Sequence, residues 1–205
     1  MVMPKVLYRI GYIFNPPGCH CAMASMGGVG STALARHIGS IADKSPREHA
    51  FSPSLYDHEQ DLRLGYMFGN PCNAVLSVFR RDYQDMHVQA MNSGSPTPAV
   101  SLKGVTIEKF LERGVDELHI ERQFDNWTNP ANCKHPTILI KYEAMADNID
   151  KVLEFFRCKS AFTVKARTSS WRNQPEPIRR GLEKYYGNLI AKVDAMPGLQ
   201  ILNPR

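Results

Sequence analysis

Residues 24–38, ASMGGVGSTALARHI, set the tightest limit on what this chain can fold into. Three glycines, Gly27, Gly28 and Gly30, crowd a turn. Before it stands a short run of small and apolar residues, CHCAMASM (19–26), with the pattern of a buried strand. After it comes STALARHIGSIA (31–42), in which Leu34, Ile38 and Ile41 share one helical face. A strand that turns on glycines straight into a helix is a building unit of α/β sheets. It also aims free backbone N–H groups and the positive end of a helix dipole at one point, where an anion can sit. Gly27, Gly28, Val29 and Gly30 would supply backbone, and Ser31 and Thr32 hydroxyls. The plainer alternative is a tight turn that only joins strand to helix.

The loop contains no lysine. A nucleoside triphosphatase needs G-x-x-x-x-G-K-[ST]. Counting back from Gly30 puts Ser25 at the first glycine and Ser31 at the lysine, so that pattern fails twice. The segment LGYMFGN offers no acidic residue at a strand end to hold magnesium.

Further along, LGYMF (64–68) and PTILIKY (136–142) read as strands. NPCNAVLSVFRRDYQDMHVQAM (70–91) reads as one long helix, with Asn70 as N-cap and Pro71 at its first position. Residues 91–101 have loop composition. Residues 106–114, 116–127, 143–156 and a last segment, PIRRGLEKYYGNLIAKV, read as helices. Strands alternating with helices predict one α/β domain over residues 1–205, a mainly parallel sheet flanked by helices. Ligands of such folds bind at the carboxyl ends of the strands, where the glycine loop and the Asn70–Pro71 cap would both lie.

Composition narrows the class. With 43% hydrophobic and 22% charged residues the chain is ordinary globular material, without an apolar run long enough for a membrane span. The first residues lack the pattern of a secretory signal, and five scattered cysteines suit a reducing compartment, so a cytoplasmic location is expected. Cys19, His20 and Cys21 do not have zinc-knuckle spacing and read as strand residues, with no metal expected. The net charge of +5 is compatible with an anionic ligand, and no basic stripe argues for nucleic acid.

Four segments, in order, resemble those of the sulfotransferases that use 3′-phosphoadenosine 5′-phosphosulfate (PAPS). GGVGSTAL resembles the family's 5′-phosphosulfate loop, P-K-S-G-T-T-W. FGNPCNAVLSVFRR resembles its 3′-phosphate segment. FDNW…ILIKYEAM resembles the stretch ending in Y-E-D-M, and SSWRN resembles the late G-D-W-K-N. The resemblance implies a P-loop-like sulfotransferase architecture. It also implies PAPS as donor, the desulfonated nucleotide (PAP) as product, and a glycan or small molecule as acceptor. The cofactor site would comprise the loop together with Asn70, Ser77, Arg81, Tyr142, Arg167 and Trp171. Each has a plainer alternative: Arg80 and Arg81 a solvated pair, Tyr142 and Trp171 packing, and Lys165, Arg167 and Arg172 a charged loop. The family's catalytic lysine aligns with Gly28, the arginine before N-P with Gly69, and the aromatic after the threonines with Ala33. Another cation must then balance the leaving group, with Arg36, Lys44, Lys165 and Arg167 as candidates. The rival classes are a phosphotransferase of related fold and a non-catalytic nucleotide-binding protein.

Sulfuryl transfer also needs a base for the acceptor's proton, and histidine suits neutral pH. REHAFSP (47–53) resembles the family's K-T-H-x-P base segment, which makes His49 the expected base. His58 comes next, then an acidic residue such as Glu48 or Glu59, and His37 reads as packed or solvated.

Overall fold

The computed structural model describes residues 13–14, 20–38, 49–92, 100–164 and 171–203. Five strands form one sheet in chain order: β1 (Ile13–Phe14), β2 (His20–Ser25), β3 (Leu62–Phe68), β4 (Thr137–Lys141) and β5 (Leu199–Leu202). The central strands β2, β3 and β4 are parallel. Their apolar runs are covered on both faces, as parallel strands must be. β1 and β5 close the sheet antiparallel at either edge. Neither edge strand was legible in the sequence, because two and four residues are too short to show a period. The sheet is thus mainly parallel, as expected, with an antiparallel strand at each edge.

Among the described residues, seven α-helices flank the strands: α1 (Ser31–Ile38), α2 (Pro71–Arg80), α3 (Gln84–Asn92), α4 (Ile107–Arg113), α5 (Ile120–Thr128), α6 (Met145–Phe155) and α7 (Glu176–Ala195). The single helix expected over 70–91 is two. Asp82 takes a left-handed φ of 54°. Its N–H bonds to Phe79 O at 2.9 Å, while the Tyr83 N–H reaches back to Val78 O at 3.0 Å. This is a Schellman stop with aspartate where glycine usually stands, so no glycine announced it. α3 leaves in a new direction and buries Gln84, His87, Val88 and Met91. α7 buries Ile178, Leu182, Tyr186, Leu189 and Val193 along one stripe and packs on α2 and α4. Among the described residues, no helix is long and apolar enough to cross a membrane.

The register decides where ligands can meet the fold. Ser25 pairs with Met67, and Phe68 with Lys141, so the three parallel strands end level. The glycine loop after β2, Gly69–Asn70 after β3 and Tyr142 after β4 therefore stand side by side at the carboxyl edge of the sheet.

Candidate functional site

The loop from Met26 to Gly30 runs through three left-handed residues, with φ of 86° at Gly27, 66° at Gly28 and 79° at Gly30. A side chain would be strained at each, and at Gly28 the space is closed as well. A Cβ there would lie 2.7 Å from the Ala74 carbonyl oxygen and 2.8 Å from the Ser77 Cβ. α2 therefore passes too close behind the loop to leave room for a side chain at Gly28. Met26 N–H bonds to Met67 O and anchors the loop to the end of β3. Ser31 Oγ donates to Ser25 Oγ at 2.8 Å, which ties the start of α1 back to the end of β2. Among the described residues, the N–H groups of Gly28, Val29 and Gly30 meet no acceptor. Unpartnered N–H groups at a helix start are donors that an anion could accept. The side chain of Val29 is in the core, so only its backbone faces the loop, whereas Ser31 and Thr32 are half-buried.

His49 stands beside this loop. Its Nδ1 lies 3.0 Å from Ser25 O. A carbonyl can only accept, so Nδ1 carries a hydrogen, and in the neutral imidazole the lone pair is then on Nε2. The same carbonyl accepts from Gln123 Nε2 at 3.2 Å, and that nitrogen also donates to Ala50 O at 2.9 Å. Tyr66 Oη donates to Gln123 Oε1, and Trp127 Nε1 donates to Ala50 O. This buried frame of Gln123, Tyr66 and Trp127 fixes residues 49–50 against the end of β2. No local pattern announced it, because its members come from β3 and α5.

A second imidazole, missed by the sequence reading, completes the corner. His87 on α3 is 2% exposed, and neither ring nitrogen has a hydrogen-bond partner. Its ring centroid is 4.4 Å from that of His49. Both rings border Gly27: a Cβ there would be 2.9 Å from His87 Cε1, 3.1 Å from His87 Nδ1 and 3.3 Å from His49 Cε1. Burial, and then the neighbouring His49, hold the His87 pKa well below the ordinary 6.5. The one signal available was a histidine on the apolar face of a helix, beside Val88 and Met91.

The other expected residues are less closely gathered. Asn70 spends its side chain on its own helix, accepting the Asn73 N–H at 3.2 Å, and gives its backbone N–H to Glu143 Oε1 at 2.9 Å. Ser77 lies about two turns further on, beneath Gly28, with a buried Oγ that meets no partner. Arg81 is at the far end of α2, where Nε donates to Ser77 O at 2.9 Å and the guanidinium covers the Tyr83 ring. Tyr142 lays its ring over Gly30, with Cε2 3.1 Å from a Cβ built there. Trp171 is buried against α2, with its N–H on Asn73 Oδ1 and its indole N–H without an acceptor. Lys44, Glu48, Lys165, Arg167 and Cys19 lie outside the described residues.

The remaining candidates point elsewhere. His37 bonds through Nε2 to Ser160 O and packs on Phe162, and His58 is exposed with its Nε2 3.2 Å from Glu59 Oε1. Arg36 is exposed on α1. Among the described residues, no group of three or more His, Cys, Asp and Glu side chains is placed to hold a metal. Comparison of the chain with protein-family models, with curated proteins and with solved structures returns no match.

Proposed function

We propose that the chain binds a nucleotide phosphosulfate on the glycine loop and transfers its sulfuryl group to a hydroxyl or amine, with His49 as base. One observation carries this reading. Residues chosen from four separate sequence segments, namely the glycines, His49, Ser77 and Tyr142, meet around a single loop of unpartnered N–H donors. In the reaction, the acceptor O–H gives its proton to His49 Nε2 while its oxygen bonds to sulfur. The bond from sulfur to the bridging oxygen breaks, and its electron pair leaves on the 5′-phosphate. The loop N–H groups and the Thr32 hydroxyl stabilise that developing charge. The Nδ1–H bond to Ser25 O holds the imidazole in the tautomer the step requires.

A second reading is favoured by Glu143. Its carboxylate occupies the Asn70 N–H, at the helix start where a nucleotide 3′-phosphate was expected. The chain would then hold one phosphate or sulfate ester at the loop without turning it over.

Thermal shift separates the readings. At about a hundredfold excess over its dissociation constant, PAP is expected to stabilise the fold by roughly 2.7 kcal/mol without metal. Stabilisation by magnesium–ATP but not by PAP would refute the transferase reading. Equal stabilisation by PAP and by adenosine 5′-phosphate would favour the single-site reading. In a sulfuryl-transfer assay, His49→Gln is expected to slow turnover by about 10²–10⁴. Transfer at the wild-type rate removes His49 as the base.

A further inference from the structure

The glycine loop has no cation of its own, and α2 leaves no room for one at Gly28. Among the described residues, two imidazoles border the loop at Gly27. We infer that the His49–His87 pair takes up one proton when a doubly charged oxyanion sits on the loop, and so becomes the counter-cation that a lysine supplies in other phosphate-binding loops. This rests on the loop being an oxyanion site.

Three observations support it. His87 is buried with both ring nitrogens unpartnered, and its Nδ1 faces Gly27, beside the unpartnered loop donors. A buried imidazole without partners is a polar group kept at a cost, which an incoming dianion offsets by favouring its charged form. The rings are 4.4 Å apart, and charge on His49 opposes charge on His87, so the pair holds one proton rather than two.

The groups around the pair act the same way. Arg81 at the end of α2 and His119 in the 115–119 loop both disfavour a charged His87, and the Leu118 backbone opposes them without closing a hydrogen bond. Without an anion His87 is therefore neutral near neutral pH. A phosphosulfate carries one charge on phosphorus and one on sulfur, whereas the 5′-phosphate left after transfer carries both. The proton taken from the acceptor would then stay on the pair as the counter-charge until the nucleotide leaves. The base becomes the cation.

Sulfate is the clean probe, because it remains a dianion across the range used. Its affinity and the histidine Cε1–H resonances would be followed by NMR between about pH 6 and pH 8.5. Linkage fixes the sign: the pair's pKa is higher with sulfate bound than without it. Affinity should then tighten about tenfold per pH unit as pH falls through the bound-state pKa, and level off below the free-state value. Sulfate should also move one of the two resonances to its protonated position. The double variant His49→Gln/His87→Gln should bind sulfate weakly and with no such slope. Flat affinity with both imidazoles neutral would overturn the inference while leaving the oxyanion site intact. A slope that survives in the double variant overturns it too, since the proton then goes elsewhere. If neither sulfate nor PAP binds at any pH, the oxyanion reading and this inference fail together. The wild-type titration stands alone if the double variant does not fold.

Discussion

Gly28 shows how one position without a side chain can decide what chemistry a loop carries. Its φ of 66° already disfavours any other residue. The Ala74 carbonyl, 2.7 Å from where a Cβ would stand, is backbone inside a helix and cannot swing away. Left-handed strain costs about 1–2 kcal/mol and overpacking about 1–3 kcal/mol. Gly28→Ala should therefore lower the unfolding free energy by about 2–5 kcal/mol, measured by chemical denaturation. Gly28→Lys should do no better, because the backbone of α2 excludes any side chain there. A Gly28→Lys variant as stable as wild type would show that α2 yields to a side chain at this position.

At the scale of elements, the site depends on α5 as much as on the loop. Gln123 joins the end of β2, through Ser25 O, to residue 50 and to Tyr66 on β3. All its hydrogen bonds are buried, so the low local dielectric makes each one costly to lose. Gln123→Leu leaves Ser25 O with His49 and Ala50 O with Trp127, but strands the Tyr66 hydroxyl. The expected loss is about 1–3 kcal/mol of stability. Tyr66→Phe in the same background should recover part of it, because no hydroxyl is then left unpaired. If adding Tyr66→Phe only deepens the loss, the network is not what holds this corner.

For the whole molecule, the most consequential titration away from the loop is Asp116, which joins the 115–119 connection to α7. Its Oδ1 accepts the Tyr186 hydroxyl at 2.9 Å and its Oδ2 the Glu121 N–H at 3.2 Å. Burial outweighs these bonds and raises its pKa from 3.8 to about 6. A carboxyl whose folded pKa is raised favours folding when protonated, so that contribution is complete below pH 3.8 and lost as pH rises through about 6. The difference amounts to about 3 kcal/mol. His87 works in the opposite sense: with a folded pKa below 6.5, its contribution is present above that pH and lost as pH falls. Comparing Asp116→Asn with wild type isolates the carboxyl. The variant should gain stability relative to wild type as pH rises from about 4 to about 7. A constant difference across that range would mean that Asp116 does not titrate as described.

Local rules sufficed for the glycine turn, the three parallel strands and most helices. A 2.0 or 3.6 residue period and a glycine crowd are properties of neighbours in the chain. The sequence also supplied His49, Ser77 and Tyr142 as candidates, through short motifs. It did not supply the stop at Asp82, because an aspartate in a left-handed cap looks like any other aspartate until the turn closes. Nor did it supply His87 or Gln123. Both are polar residues on apolar helix faces, and what distinguishes a functional one from a merely buried one is the group across the contact. Those partners, Gly27, His49, Ser25 and Tyr66, lie tens of residues away. The same limit applied to the start of α2: a free helix N-terminus was legible in Asn70–Pro71, but the carboxylate on it came from Glu143, 73 residues on. Sequence alone thus determined which segments could face an anion. Which of them has free donors, and which imidazoles stand beside it, was decided by tertiary packing, because burial and pairing are relations between distant parts of the chain.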